Sequence, residues 1–144
     1  MPDTFVDDPL RRRRVALPPE ERVRQWFIAV LRDELGVPES KMMSEVSMQT
    51  GEITSVIGGL RRKVYRADIV VYDRSSFPVM LVECKRPDVQ LTADVAAQAI
   101  RYCGIMGVRY MVVTNGLNTY VAEGGDGSLR FLSSVPAYEE MNKR

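Results

Sequence analysis

Apolar residues recur at helical spacing over Val23, Trp26, Phe27, Val30 and Leu31, which predicts a helix with one buried stripe. Pro18-Pro19-Glu20-Glu21 opens it: proline suits a first turn, and acids there meet the positive end of the helix dipole. Leu35-Gly36 closes it, with Pro38 beyond. Glu20 falls on the same face as the stripe, at its open end. After this helix the pattern shifts to strands. Met42 to Ile57 suits one or two short strands around Gly51, and Gly58-Gly59 marks a turn. Lys63 to Asp73 is β-branched and aromatic and reads as a strand. Val79 to Lys85 is a second, apolar on both faces until Glu83, as expected of a central strand covered on both sides.

Residues 92–106 predict a second helix with Thr92 as N-cap and small alanines for close packing on a sheet. Arg109 to Thr114 is a third clear strand, and Asn115-Gly116 turns it into a hairpin with Leu117 to Ala122. Gly124 to Gly127 makes another turn before an edge strand at Leu129 to Leu132. The order predicts an α/β domain: a mixed sheet with helices on its faces. Residues 1–17 read as an extended N-terminal arm, 18–135 as the domain and 136–144 as a C-terminal tail.

Composition narrows the chemistry. A chain of 144 residues, 45% hydrophobic and 27% charged, suits one globular domain. No apolar run is long enough to span a bilayer and no signal peptide is visible, so a cytoplasmic location is expected. The net charge of +1 is not the bulk signature of a nucleic-acid-binding protein, so such affinity would have to come from local clusters. Histidine is absent, which excludes Ser-His and Cys-His catalysis and His-ligated zinc. Cys84 and Cys103 read as reduced core thiols. Carboxylates, Lys, Tyr and Ser remain, with hard cations as the natural metals.

Asp68 stands inside an apolar strand, where an ionised carboxylate is costly unless paired or metal-bound. Glu83 and Lys85 are two apart and project from one face of the next strand. A short connection makes the two strands antiparallel neighbours, so Asp68 approaches Glu83 with Lys85 alongside. Two converging carboxylates repel unless a cation joins them. Mg²⁺ suits one or two carboxylates with waters and a phosphate, and it acidifies the water it binds. The spacing thus suits metal-assisted phosphodiester cleavage. The bland alternative is an Asp68–Lys85 salt bridge with Glu83 solvated. Gln98 and Tyr102 form an i, i+4 pair on the second helix, placed to bind a phosphate or base or else a simple surface pair. Arg61, Arg62, Lys63 and Arg66 form a basic rim before Asp68 that would attract a polyanion, or else a solvated strand start.

Arg66 to Tyr72, Leu81 to Pro87, Gln98 to Tyr102 and Val113 to Gly116, taken in order, resemble the amino-terminal nuclease domain of type I restriction enzyme R subunits. Pro19 to Gln25 also resembles that family's first helix, and the likeness runs from roughly Phe5 to Leu132. The family belongs to the PD-(D/E)xK phosphodiesterases. The resemblance implies a restriction-endonuclease-like mixed sheet flanked by helices and a Mg²⁺-dependent DNA endonuclease, with Mn²⁺ as a substitute ion. It implies that Asp68 and Glu83 bind the metal, that Lys85 is the catalytic lysine, and that Gln98 and Tyr102 fill a Gln-x-x-x-Tyr motif. An acid of the first helix would assist; Glu20 matches best by facing, with Glu21 close behind. Ala67 replaces the motif's proline. No helicase follows in this sequence, so DNA and a helicase or restriction-complex subunit are the implied partners. The alternative is a non-catalytic nuclease fold that binds nucleic acid or another protein.

Overall fold

The computed structural model describes residues 5–16, 18–56, 58–125 and 128–143, with backbone alone at 15, 16, 49–56, 61–63, 99, 102, 103 and 105. Strands β1 (Phe5–Asp8) and β2 (Arg13–Ala16) pair antiparallel as a small separate sheet. Helix α1 runs Pro19–Ala29 and continues as one wide π turn, Val30–Glu34. Six strands then build the main sheet in the order β3 (Met42–Val56), β4 (Gly59–Tyr72), β5 (Pro78–Cys84), β6 (Tyr110–Thr114), β7 (Thr119–Gly125) and β8 (Ser128–Leu132). Helix α2 (Ala93–Met106) crosses between β5 and β6, and α3 (Tyr138–Met141) closes the fold. The β5–β6 pair is parallel and every other neighbouring pair antiparallel. That is the expected mixed sheet: a short link joins β4 to β5 antiparallel, while a helical crossover is needed for a parallel pair.

The sheet is covered on both faces. Val23, Phe27 and Ile28 of α1 and Leu31 of the π turn pack on Ile69, Met80, Val82 and Val112. Ala96 and Ile100 of α2 pack on Val70, Leu81, Met111 and Val113 on the other side. Thr92 caps α2 as expected, its Oγ1 accepting from the Val95 N–H at 3.3 Å. Among the described residues no helix is long and apolar enough to cross a membrane.

The structure corrects one expectation, the place of Trp26, and gives detail to three further segments. Trp26 stands outside the buried stripe at 45% exposure, and Ile28 takes its place at 0%. The buried face of α1 runs through residues 23, 24, 27, 28 and 31, and Trp26 lies about 100° around the helix from Phe27. The N-terminal segment is a hairpin over 5–16 whose Asp8 is buried; Asp8 Oδ1 accepts from the Leu10 and Arg11 N–H groups and thereby closes the turn. Residues 1–4 and 17 lie outside the described residues. The C-terminal segment is not a loose tail: Tyr138 and Met141 enter the α1-side core, and Tyr138 Oη donates to the Tyr72 carbonyl at 2.9 Å. Of the one or two short strands expected around Gly51 the structure has one long one, β3, with an irregularity of register between Gln49 and Ile53; Ile57 lies outside the described residues.

Tyr138→Ala should cost about 3 kcal/mol of stability, the usual range for emptying a buried aromatic site. Urea denaturation followed by circular dichroism checks this, and an unchanged midpoint would make the C-terminal segment an appendage.

Candidate functional site

The site forms where β4 changes face. Ile69 packs toward α1, yet Ala67, two residues earlier, packs toward α2. In a regular strand two such residues share a face. The reversal occurs at Asp68, which lies across from Glu45 between the pairs Ser44↔Ile69 and Val46↔Ala67. Glu45 has φ 55°, a left-handed conformation uncommon outside glycine. Asp68 therefore sits on the seam between the two covered faces. It reaches both α1 and the end of β5.

Two groups hold its carboxylate. The Cys84 N–H donates to Oδ2 at 2.6 Å, and Arg24 Nη2 donates to Oδ1 at 3.4 Å. Burial is the largest influence on Asp68 and pushes its carboxyl above the ordinary value. The Cys84 N–H and Arg24 oppose that rise, while the Glu20 and Glu83 charges add to it. The β4–β5 ladder explains Glu83: its last pair is Ile69↔Val82, so Asp68 and Glu83 stand opposite one step further on. Lys85 Nζ lies 3.8 Å from Glu83 Oε1, and the Lys85 N–H bonds the Thr114 carbonyl at 2.8 Å, prolonging the β5–β6 pairing. Glu20, Arg66, Asp68, Glu83, Lys85 and Arg86 line one open cleft of about 240 Å³. Asn115 braces Val89, another residue of the cleft lining. Its Nδ2 donates to the Val89 carbonyl at 2.9 Å and its Oδ1 accepts from Leu117 and Asn118, so it tightens a turn, as the sequence suggested, and also anchors the loop after Lys85.

The two acids of the first turn of α1 part company. Glu20 lines the cleft. Glu21 is buried on the other side, where it accepts from Arg11 and from Gln25 Nε2 at 3.0 Å and meets Arg24 Nε at 3.4 Å. Gln98 is exposed and is not among the residues lining this cleft. The Tyr102 side chain lies outside the described residues, as do those of Arg61, Arg62 and Lys63.

Arg24 is the residue that the hydrophobic reading passed over. It is 6% exposed, and its guanidinium meets Glu21, Glu45 at 3.2 Å and Asp68. Burial works against its charge, but the three carboxylates outweigh that and raise its pKa. A signal was available: Arg24 stands three and four residues before Phe27 and Ile28, on the buried stripe, where a charge demands partners. Behind it, Arg11 of the β1–β2 turn joins Asp8 at 2.7 Å and Glu45 at 3.9 Å, and Arg66 reaches Glu45 at 3.5 Å.

Among the described residues, no three Asp, Glu, Cys or His side chains converge as a metal cage. Asp68 and Glu83 offer two hard oxygen donors beside an open cleft, a set that fits Mg²⁺ with water and a phosphate completing its shell.

Residues 19–136 match the family described as type I restriction enzyme R protein N terminus. Among solved structures, a fragment assigned as an HsdR subunit of a type I restriction enzyme from Vibrio vulnificus YJ016 is similar, with a TM-score of 0.64 and 22% identity. The alignment covers 87% of this chain and 24% of that one, so the match spans about a quarter of the relative's length. At that identity the likeness shows a shared fold. No curated protein gave a match.

Cys84 stands between Glu83 and Lys85 at the end of β5 and is 2% exposed, its thiol pushed far up by burial. In native protein at pH 8 it should resist iodoacetamide and label fully in denaturant. Peptide mapping reads the outcome, and rapid native labelling of Cys84 would contradict the packing at the end of β5.

Proposed function

Because the chain belongs to the family of the type I restriction enzyme R protein N terminus, we propose that it is a Mg²⁺-dependent DNA endonuclease domain of the PD-(D/E)xK kind, working in the cytoplasm within a restriction complex. The observation that carries this reading is the meeting of Asp68, Glu83, Lys85 and Glu20 in one cleft, from three separate elements. Asp68 and Glu83 would hold the ion. When bound, the ion supplies charge stabilisation and an acidified water for attack on phosphorus.

The chain's own groups do the rest. Lys85 sits at the cleft mouth beside Glu83, where its ammonium can neutralise charge growing on a bound phosphate. Glu20 stands as a third carboxylate, placed to accept a hydrogen bond from water in the cleft. Arg66 and Arg86 present guanidinium groups to a phosphate backbone on the rim. Gln98 and Tyr102 belong to this reading only if substrate bridges to α2, since Gln98 does not line the cleft. A second reading, a non-catalytic binding module, is favoured by one observation: Asp68 already has Arg24 and a backbone N–H as partners.

Plasmid nicking measured across a Mg²⁺ and Mn²⁺ titration tests both. Asp68→Ala and Lys85→Ala should each lose about 100-fold or more of the metal-dependent rate, the usual scale for removing an essential polar group. Salt-sensitive DNA binding without cleavage, unaltered in both variants, would leave only the module.

A further inference from the structure

We propose that Arg24 is a built-in counterion: a positioning residue that neutralises Asp68 and keeps the carboxylate cluster assembled before a divalent cation arrives. The proposal rests on the metal-site reading above. Arg24 draws together Glu21 of α1, Glu45 of β3 and Asp68 of β4, each within 3.4 Å of a different guanidinium nitrogen. Guanidinium stays charged at any working pH, and its planar fork meets several oxygens from fixed directions. Arg24 does not line the cleft, whereas Asp68 does. The carboxylate is thus held on one side by a permanent cation and open on the other to a metal. Remove Arg24, and Asp68 would be left with the Cys84 N–H and the repelling charges of Glu20 and Glu83. A divalent ion bound from the cleft side could then supply the missing positive charge.

A purely structural arginine and a counterion part company when metal is added. By thermal unfolding, wild type should melt only a few degrees higher in millimolar Mn²⁺ than in EDTA, the ordinary gain from an ion that binds the native state. Arg24→Met should melt about 10 °C lower in EDTA, the scale of a broken buried ion pair, and gain more from Mn²⁺ than wild type does, recovering the part of the loss that comes from Asp68. The Arg24→Met/Asp68→Asn double variant should be more stable than Arg24→Met in EDTA and indifferent to metal. An Arg24→Met loss that is equal in both buffers, or absent, overturns the proposal. Should Arg24→Met fail to fold in either buffer, the double variant decides: restored folding supports the counterion, continued failure rejects it. Calorimetric titration of wild type with Mn²⁺ keeps the two ideas apart. Absence of binding rejects the metal site itself, whereas binding without rescue of Arg24→Met rejects Arg24's role alone.

Discussion

A carboxylate placed among apolar strands must be satisfied, and the way Asp68 is satisfied organises this molecule. One oxygen takes the N–H of Cys84, which fixes the end of β5 against β4. The other takes Arg24, which fixes α1 over the end of the sheet. Each contact positions something else. The first brings Glu83 and Lys85 to the cleft; the second turns Glu20 outward toward it while Glu21 turns inward. The left-handed Glu45 and the change of face at Asp68 are the local cost of letting one side chain serve both layers.

Much of this was legible in the sequence. The central strands announced themselves because β5, covered on both sides, must be apolar at successive positions, and it breaks that rule at Glu83. A short link dictated the antiparallel pairing that sets Asp68 opposite Glu83. Val23, Phe27 and Leu31 of the stripe are buried as their spacing predicts, whereas Trp26 is half exposed, because size and apolarity say nothing about facing. Its neighbour Arg24 was passed over for the converse reason. A hydrophobicity pattern treats a charge as a surface residue, whereas the helical period puts it inside. The Arg11, Glu21 and Glu45 contacts were beyond reach, since they depend on how a hairpin folds back on a helix far along the chain from β3. Tyr138 and Met141 form too short an apolar pair to be told from a tail without seeing the gap they fill.

The near-neutral net charge also acquires a physical meaning. Arg11 and Arg24 are spent inside against Asp8, Glu21, Glu45 and Asp68. Arg66 and Arg86 remain exposed at the cleft. A summed charge therefore misjudges what a polyanion would meet, because opposite charges locked together below the surface cancel in the total but contribute little to the field outside.

The small β1–β2 hairpin deserves a practical reading. The stretch shared with the family begins at residue 19, so Arg11 lies just upstream of it. A protein chemist who trimmed the chain to the shared boundary would take away one of the cations bonded to Glu21 and leave a buried acid facing Arg24 with less support. Arg24 would then be drawn toward Glu21 and away from Asp68. A shortened version would keep every cleft residue and still present a differently tuned carboxylate.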